Sequence, residues 1–398
     1  MFLLDNPIQN YAWGSRTSLA ELLGHHHPSA QPEAELWIGA HPKAPSRLSD
    51  GRSLLAAISA DPLGMLGADV SARFGARLPF LLKVLAVEAP LSLQAHPNLE
   101  QAVRGFAREE AAGVPRDAPA RTYRDENHKP ELLCALTPFE ALSGFRSAPE
   151  SAELFEELGV ESLAGALRAT GPSALESVFS HLMTLPAAER ARLASDVLQR
   201  CAQAARRAGP YSASLEWAAR LGTAYPGDIG SVASLLLQYV RLEPFEAIFL
   251  EAGRLHAYLS GTGVELMANS DNVLRGGLTP KHVDVPELLR VLRFDAPHVG
   301  PAPTHALHPG EVVYETPAPE FQLSRLELLP DRQARISVQG PEILLCVQGQ
   351  ATVELGARLA APRALRRGQA CFLSASAGSY TLGGSGRVFR ATVGALPA

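Results

Sequence analysis

Gln94 and His96 stand two residues apart in the run LSLQAHPN over 91–98, just after the apolar stretch LPFLLKVLA over 78–86. In an extended chain, positions i and i+2 face the same side, so both side chains can reach one ion. The segment NHKPE over 127–131 adds the carboxylate of Glu131, and LHAY over 255–258 adds the imidazole of His256. Structural zinc favours closed, cysteine-rich spheres. An amide, two imidazoles and a carboxylate point instead to a catalytic ion with a position open to water or substrate. Glu131 cancels one charge of a divalent ion and leaves enough to polarise a carbonyl or hydroxyl oxygen. Zinc is the first expectation, and ligand softness alone leaves manganese and iron open.

A polar, glycine-bent run, LMANSDNVLRGGLTPK over 266–281, brings Asp271, Arg275 and Lys281 close in sequence to His256. Arginine matches a phosphate bidentately and lysine adds a point charge. Lys129, two residues before Glu131, points into the same cavity if its segment is extended. The formal net charge is -5, so a phosphate would need such a local positive cluster. The mildly acidic balance, without a dense basic run, gives no reason for a nucleic-acid or membrane partner, and small ligands are expected. His41 in GAHP reads as a turn residue, the triplet His25 to His27 as a polar loop, and Trp37 as core.

The elements that must position these groups follow from texture. At 398 residues the chain exceeds what one core usually holds. Residues 1–146 mix short β-like runs with turn residues, 147–240 turn to Ala, Leu, Glu and Arg with helical spacing, and strand texture returns from 241. A Pro-rich joint over 296–303 precedes a tail of short strands spaced as in a β-sandwich or barrel. The expected fold is mainly β with an α-helical insert. A catalytic unit spans 1–146 and 241–307, the insert 147–240, and a C-terminal β-domain 308–398. The start of the chain does not read as a secretory leader, no run nears the roughly 18 apolar residues of a membrane span, and four scattered cysteines suit a reducing compartment. Cytoplasm is the expected location.

The segments FLLKVLAVEAPLSLQAHPN, ENHKPELL, HAYLSGTGVELMANSDNVLRGGLTPKH, QNYAWGS, ELWIGAHP and TPAPEF together resemble type I phosphomannose isomerase, in order from residue 8 to about 321. The resemblance implies a zinc-dependent interconversion of mannose 6-phosphate and fructose 6-phosphate on a cupin-like β-barrel or jelly roll, with a second cupin-like β-domain behind it. It implies one Zn2+ per chain on Gln94, His96, Glu131 and His256, an active-site arginine at Arg275, and pocket positions at Ser92, Lys129, Tyr258, Glu265, Asp271, Lys281 and Trp13. The implied substrate is a small phosphosugar and the expected working form a monomer. Lys129, Glu265 and Asp271 are each suited to carry the proton between C1 and C2 of an enediol, and the residues alone do not choose among them. Two other classes fit a metal-binding cupin: an oxygenase, which Gln94 in place of a histidine disfavours, and a non-catalytic sugar-phosphate-binding regulator, which has no need of both a metal and a base.

Overall fold

The structure, a computed structural model, describes residues 1–169, 171–295, 297, 299–356 and 361–394, with residue 172 by its backbone alone. Residues 296 and 298 of the Pro-rich joint therefore lie outside the described residues. Among those described, the strands form two sheets of ten.

The sheet that carries the site is organised around the long strand His256–Ala268. Its first half pairs with Leu93–Ala95 and Phe139–Phe145, its second half with Phe80–Val87 and Glu131–Ala135. The strand changes partners where its register shifts between Tyr258 and Ser260 and where Gly261 has φ 121°. A Cβ on Gly261 would lie 2.7 Å from the Pro138 carbonyl oxygen, so the corner requires glycine. Bulge and glycine together curl the sheet and let segments distant in sequence face one interior.

Alternation decides what enters that interior. Leu93, Ala95, Leu255, Ala257 and Leu274 pack outward into one apolar core, leaving Gln94, His96, His256 and Arg275 on the opposite face. Likewise Phe80, Leu82, Val84, Leu132, Cys134, Val264 and Leu266 join a second core. Each large side chain so buried contributes about 1.5–3 kcal/mol. A slip of one residue would turn the ligands outward, so burial of their apolar neighbours fixes their direction.

The first core is completed by the helices between Ala148–Glu157 and Gly230–Ala233. Ser147 and Glu150 form a reciprocal capping box that starts the first of them. Phe155, Leu163, Phe179, Leu182, Val197 and Leu221 then supply its apolar stripes. The strand Leu237–Leu242 that follows returns the chain to the site sheet.

Back to back with this sheet lies the other one, sharing the second core through Leu323, Ile343, Leu345, Phe372, Phe389 and Ala391. It takes in the first strand of the chain, Phe2–Asp5, beside Ala370–Leu373, and Arg47–Leu48 beside that. The strand Thr304–His308 also belongs to it, pairing with Glu311–Tyr314. Its other face encloses a buried ionic cluster in which Arg390 donates two hydrogen bonds to Glu342, at 2.9 and 2.6 Å, and one to Glu311 at 3.1 Å. Tyr380 donates to Glu342 at 2.8 Å and Ser324 to Glu311 at 2.6 Å. Arg390→Met would strand two buried carboxylates. It should lower stability by about 3–5 kcal/mol, measured as a fall in the urea midpoint, and a change under 1 kcal/mol would mean that the cluster contributes little.

Candidate metal centre and active site

His96, Glu131 and His256 meet at one point from three segments of chain. The Nε2 atoms of His96 and His256 each lie 3.4 Å from a different Glu131 oxygen, and all three side chains are no more than 2% exposed. The Nδ1 atoms face carbonyl oxygens instead, that of Asn272 at 2.7 Å for His96 and that of Arg254 at 2.9 Å for His256. A carbonyl cannot donate, so each Nδ1 carries the proton and each neutral ring presents a lone pair at Nε2. Burial, outweighing the pull of Glu131, lowers His96 to about 4, so it is neutral near pH 7. Burial alone would raise the Glu131 carboxyl, but the Lys129 ammonium holds it well below the usual carboxylate range.

Two lone pairs therefore confront an ionised carboxylate, and His96 Nε2, His256 Nε2 and Glu131 Oε2 are buried without a hydrogen-bond partner. Such an arrangement is costly unless a cation lies among them. These atoms lie within 4.8 Å of one another. Gln94 stands in direct register between His256 and Arg275 on the neighbouring strands and lines the cavity, so its amide is placed to be the fourth ligand. Two imidazoles, a carboxylate and an amide suit zinc, and the backbone bonds at Nδ1 orient the rings as metal-bound histidines are usually oriented.

Gln94 and Glu131 border a cavity of about 530 Å³, and His96 and His256 pack against Glu131. Lys129 reaches in beside the ligand carboxylate, its Nζ 3.0 Å from Glu131 Oε1. Ser92, Trp13, Arg275 and Lys281 line the wall, with Tyr258 and Glu265 on the floor. Glu265 is held from both sides, by Tyr258 OH at 3.0 Å on Oε1 and by Lys83 Nζ at 3.1 Å on Oε2. Burial raises its carboxyl, and Lys83 offsets that only in part. Asp271 sits across the cavity, 2.9 Å from Lys43 and 3.7 Å from His41. Burial pushes its carboxyl up, but the Lys43 ammonium outweighs it and keeps the group below its ordinary value.

All the residues expected at the site are thus in or beside one cavity, and several unexpected ones join them. Lys83 and Glu35 form part of the floor, 3.8 Å apart, with Trp37 donating to Glu35. Trp37 is therefore both buried and part of the lining, and His41, read as a turn residue, is buried facing Asp271. Tyr225 comes from the end of the helical stretch, its hydroxyl donating to the Pro90 carbonyl at 3.1 Å. Arg124 lies beside Arg275 and Lys281. A signal for Lys83 and Glu265 does exist in the sequence, since each is a lone charge inside an apolar strand, where charges are found only when paired.

The trio's electrostatics give a direct test of its role. Glu131→Gln removes the one anionic ligand and should weaken zinc binding by more than the roughly 10–100-fold typical of losing an outer partner, read by competition with a chromogenic chelator. Unchanged affinity would remove Glu131 from the metal site.

Residues 1–148 match the family model described as phosphomannose isomerase type I, catalytic domain. The mannose-6-phosphate isomerase of Escherichia coli (strain K12) is 41% identical over 394 residues, covering 97% of this chain and 98% of that protein. The Homo sapiens mannose-6-phosphate isomerase is 36% identical, covering 94% of each. A crystal structure of mannose 6-phosphate isomerase in a zinc-bound holo form superposes with a TM-score of 0.90 at 38% identity, covering 99% of both chains. With this agreement along nearly the whole length, the chain belongs to the type I phosphomannose isomerase family.

Proposed function

We propose that this chain interconverts mannose 6-phosphate and fructose 6-phosphate, with one Zn2+ held by Gln94, His96, Glu131 and His256. The observation that carries this reading is the buried trio of unpartnered ligand atoms opening onto a cavity with cations along one wall. When bound there, a zinc ion supplies Lewis-acid stabilisation of negative charge on sugar oxygens.

The obstacle in aldose–ketose isomerisation is the weak acidity of the carbon beside the carbonyl, and a proton must travel between C1 and C2 through an enediol. Asp271, kept ionised by Lys43, is a proton acceptor facing the cavity. Lys129 Nζ, beside Glu131, is a proton donor lining the same cavity. An acceptor that takes the proton from one carbon and returns it to the other ends the turnover in its starting state, and Lys129 is placed to exchange a proton with a sugar oxygen as the ring opens and closes. Glu265 has both oxygens engaged, so we assign it the task of fixing Lys83 and Tyr258 in the floor rather than that of base. Arg275, in register with Gln94, stands where its guanidinium can face the reacting oxygens or the phosphate.

The working unit we propose is a monomer. Among the described residues no helix is long and apolar enough to cross a membrane. All four cysteines are buried free thiols, which supports a reducing compartment such as the cytoplasm. We also propose the division into a catalytic unit of 1–146 and 241–307, an insert of 147–240 and a C-terminal β-domain of 308–398, with the strands Phe2–Asp5, Arg47–Leu48 and Thr304–His308 joining the latter's sheet.

A coupled assay with mannose 6-phosphate should show fructose 6-phosphate forming, cease on chelation and resume with added zinc. Zinc-loaded protein that makes no product would defeat the isomerase reading. Arg275→Ala should keep its zinc and lose about 100–1,000-fold in kcat, the scale of removing one charge-stabilising donor. Near-normal kcat in that variant would move Arg275 out of the catalytic machinery.

A further inference from the structure

We propose that Arg124 is a specificity-determining residue that completes, with Arg275 and Lys281, a three-cation cradle for the substrate's phosphoryl group. The inference rests on the sugar-phosphate reading above.

The three side chains border the same part of the cavity. Among the described residues none of them forms an ion pair with a carboxylate, whereas the other cavity cations, Lys43, Lys83 and Lys129, all do. Their mutual repulsion is felt. Burial and then Arg124 lower Arg275, and burial followed by Arg275 and Arg124 lowers Lys281. Three neighbouring positive charges without a counter-charge form an unfavourable group that a dianion relieves, and more strongly in a cleft than in open water. Two of the cations come from one stretch, the strand Leu274–Gly277 and the turn after it, and the third comes from the segment before Glu131.

Arg124 is not a freely moving loop charge. Its backbone N–H and that of Asp125 both donate to Asn272 Oδ1, at 2.7 and 3.2 Å, and its Nη1 donates to the Arg116 carbonyl at 2.9 Å. The preceding residue, Tyr123, donates to Glu287 at 2.7 Å and packs so closely on Gly105 that a Cβ there would lie 2.4 Å from its ring. The Arg121 side chain, fully buried, pairs with Glu109 and Glu110. A segment without helix or strand is thereby held rigid, which is what a phosphate-reading guanidinium needs.

The test compares Arg124→Met with the unaltered zinc-loaded protein on mannose 6-phosphate and on unphosphorylated mannose, and measures competitive inhibition by inorganic phosphate. The expected result is a rise of about 10–100-fold in KM for mannose 6-phosphate, the scale of a lost hydrogen bond to a charged group. The inhibition constant of phosphate should rise in parallel, and the preference in kcat/KM for the phosphorylated sugar should fall at least about tenfold. Arg124→Lys should fall between the two, since it keeps the charge but not the fork. A phosphate inhibition constant within twofold of the parent's, or equal losses on both sugars, would overturn the proposal. Failure of the unaltered protein on mannose 6-phosphate would strike the isomerase reading instead, while weaker binding of phosphate by the Met variant, measured by calorimetry, would still support the cradle.

Discussion

Two imidazole lone pairs and an ionised carboxylate, all buried and aimed at each other, form an arrangement that a folded chain does not keep without compensation. A divalent cation among them would turn that repulsion into attraction, and the surrounding fold holds the three side chains together. No single stretch could do this, because the ligands lie in three segments. They meet because one long strand bends at Gly261 and pairs with four others, placing His256 beside Gln94 and Glu131 beside Met267 on one continuous surface. Apolar neighbours on the reverse face do the aiming, since the burial that stabilises Leu93 and Ala95 is the same event that turns Gln94 inward.

The helical stretch takes part in this more directly than a covering layer would. Gly230, at the start of its last helix, lies against Gly277, and a Cβ on Gly277 would meet the Gly230 Cα at 2.8 Å. Gly277 has φ 120° and Leu278 has φ 56°, so the chain turns sharply there between Arg275 and Lys281. Asp228 accepts from the backbone N–H of Thr279 at 3.3 Å, and Tyr225 adds a wall to the cavity. The paired glycines of the LRGG strand thus answer a packing need: the backbone that carries two cavity cations must approach a helix more closely than any side chain allows.

What the sequence revealed depended on how local the signal was. The ligands and the polar run 266–281 were readable because a strand period or a short bend sufficed to place them. The helices could be read from their apolar spacing, while the Ser147 and Glu150 cap that starts the first of them is a feature of the structure. The pairing of Phe2–Asp5 with Ala370–Leu373 could not, since no local pattern names a partner at the other end of the chain. Lys83 and Glu35 were passed over because the apolar run around each reads as ordinary core; only the register that sets Lys83 opposite Glu265 shows the charges meeting. Arg124 was hidden for a related reason. In sequence it is one charge in a polar loop, and its place by the cavity depends on Asn272 reaching back to its backbone.

The segment TPAPEF shows why the second sheet matters to the first. Glu320 sits between two strands of that sheet, yet its carboxylate accepts a hydrogen bond from His128 Nε2 at 2.7 Å. His128 adjoins Lys129 in the segment that delivers Glu131, so a residue from the second sheet secures the chain next to Lys129 and Glu131. Tyr314, also from the second sheet, donates to the Phe245 carbonyl at 2.9 Å, and its hydroxyl lies 3.1 Å from the Cys134 thiol. The core between the sheets is continuous with these contacts, through Leu132 and Cys134 on one side and Phe321 and Leu323 on the other. A tail that served only to bury apolar surface would have no use for a carboxylate at this position. Its placement against His128 makes the second sheet part of the support that keeps Lys129 beside Glu131.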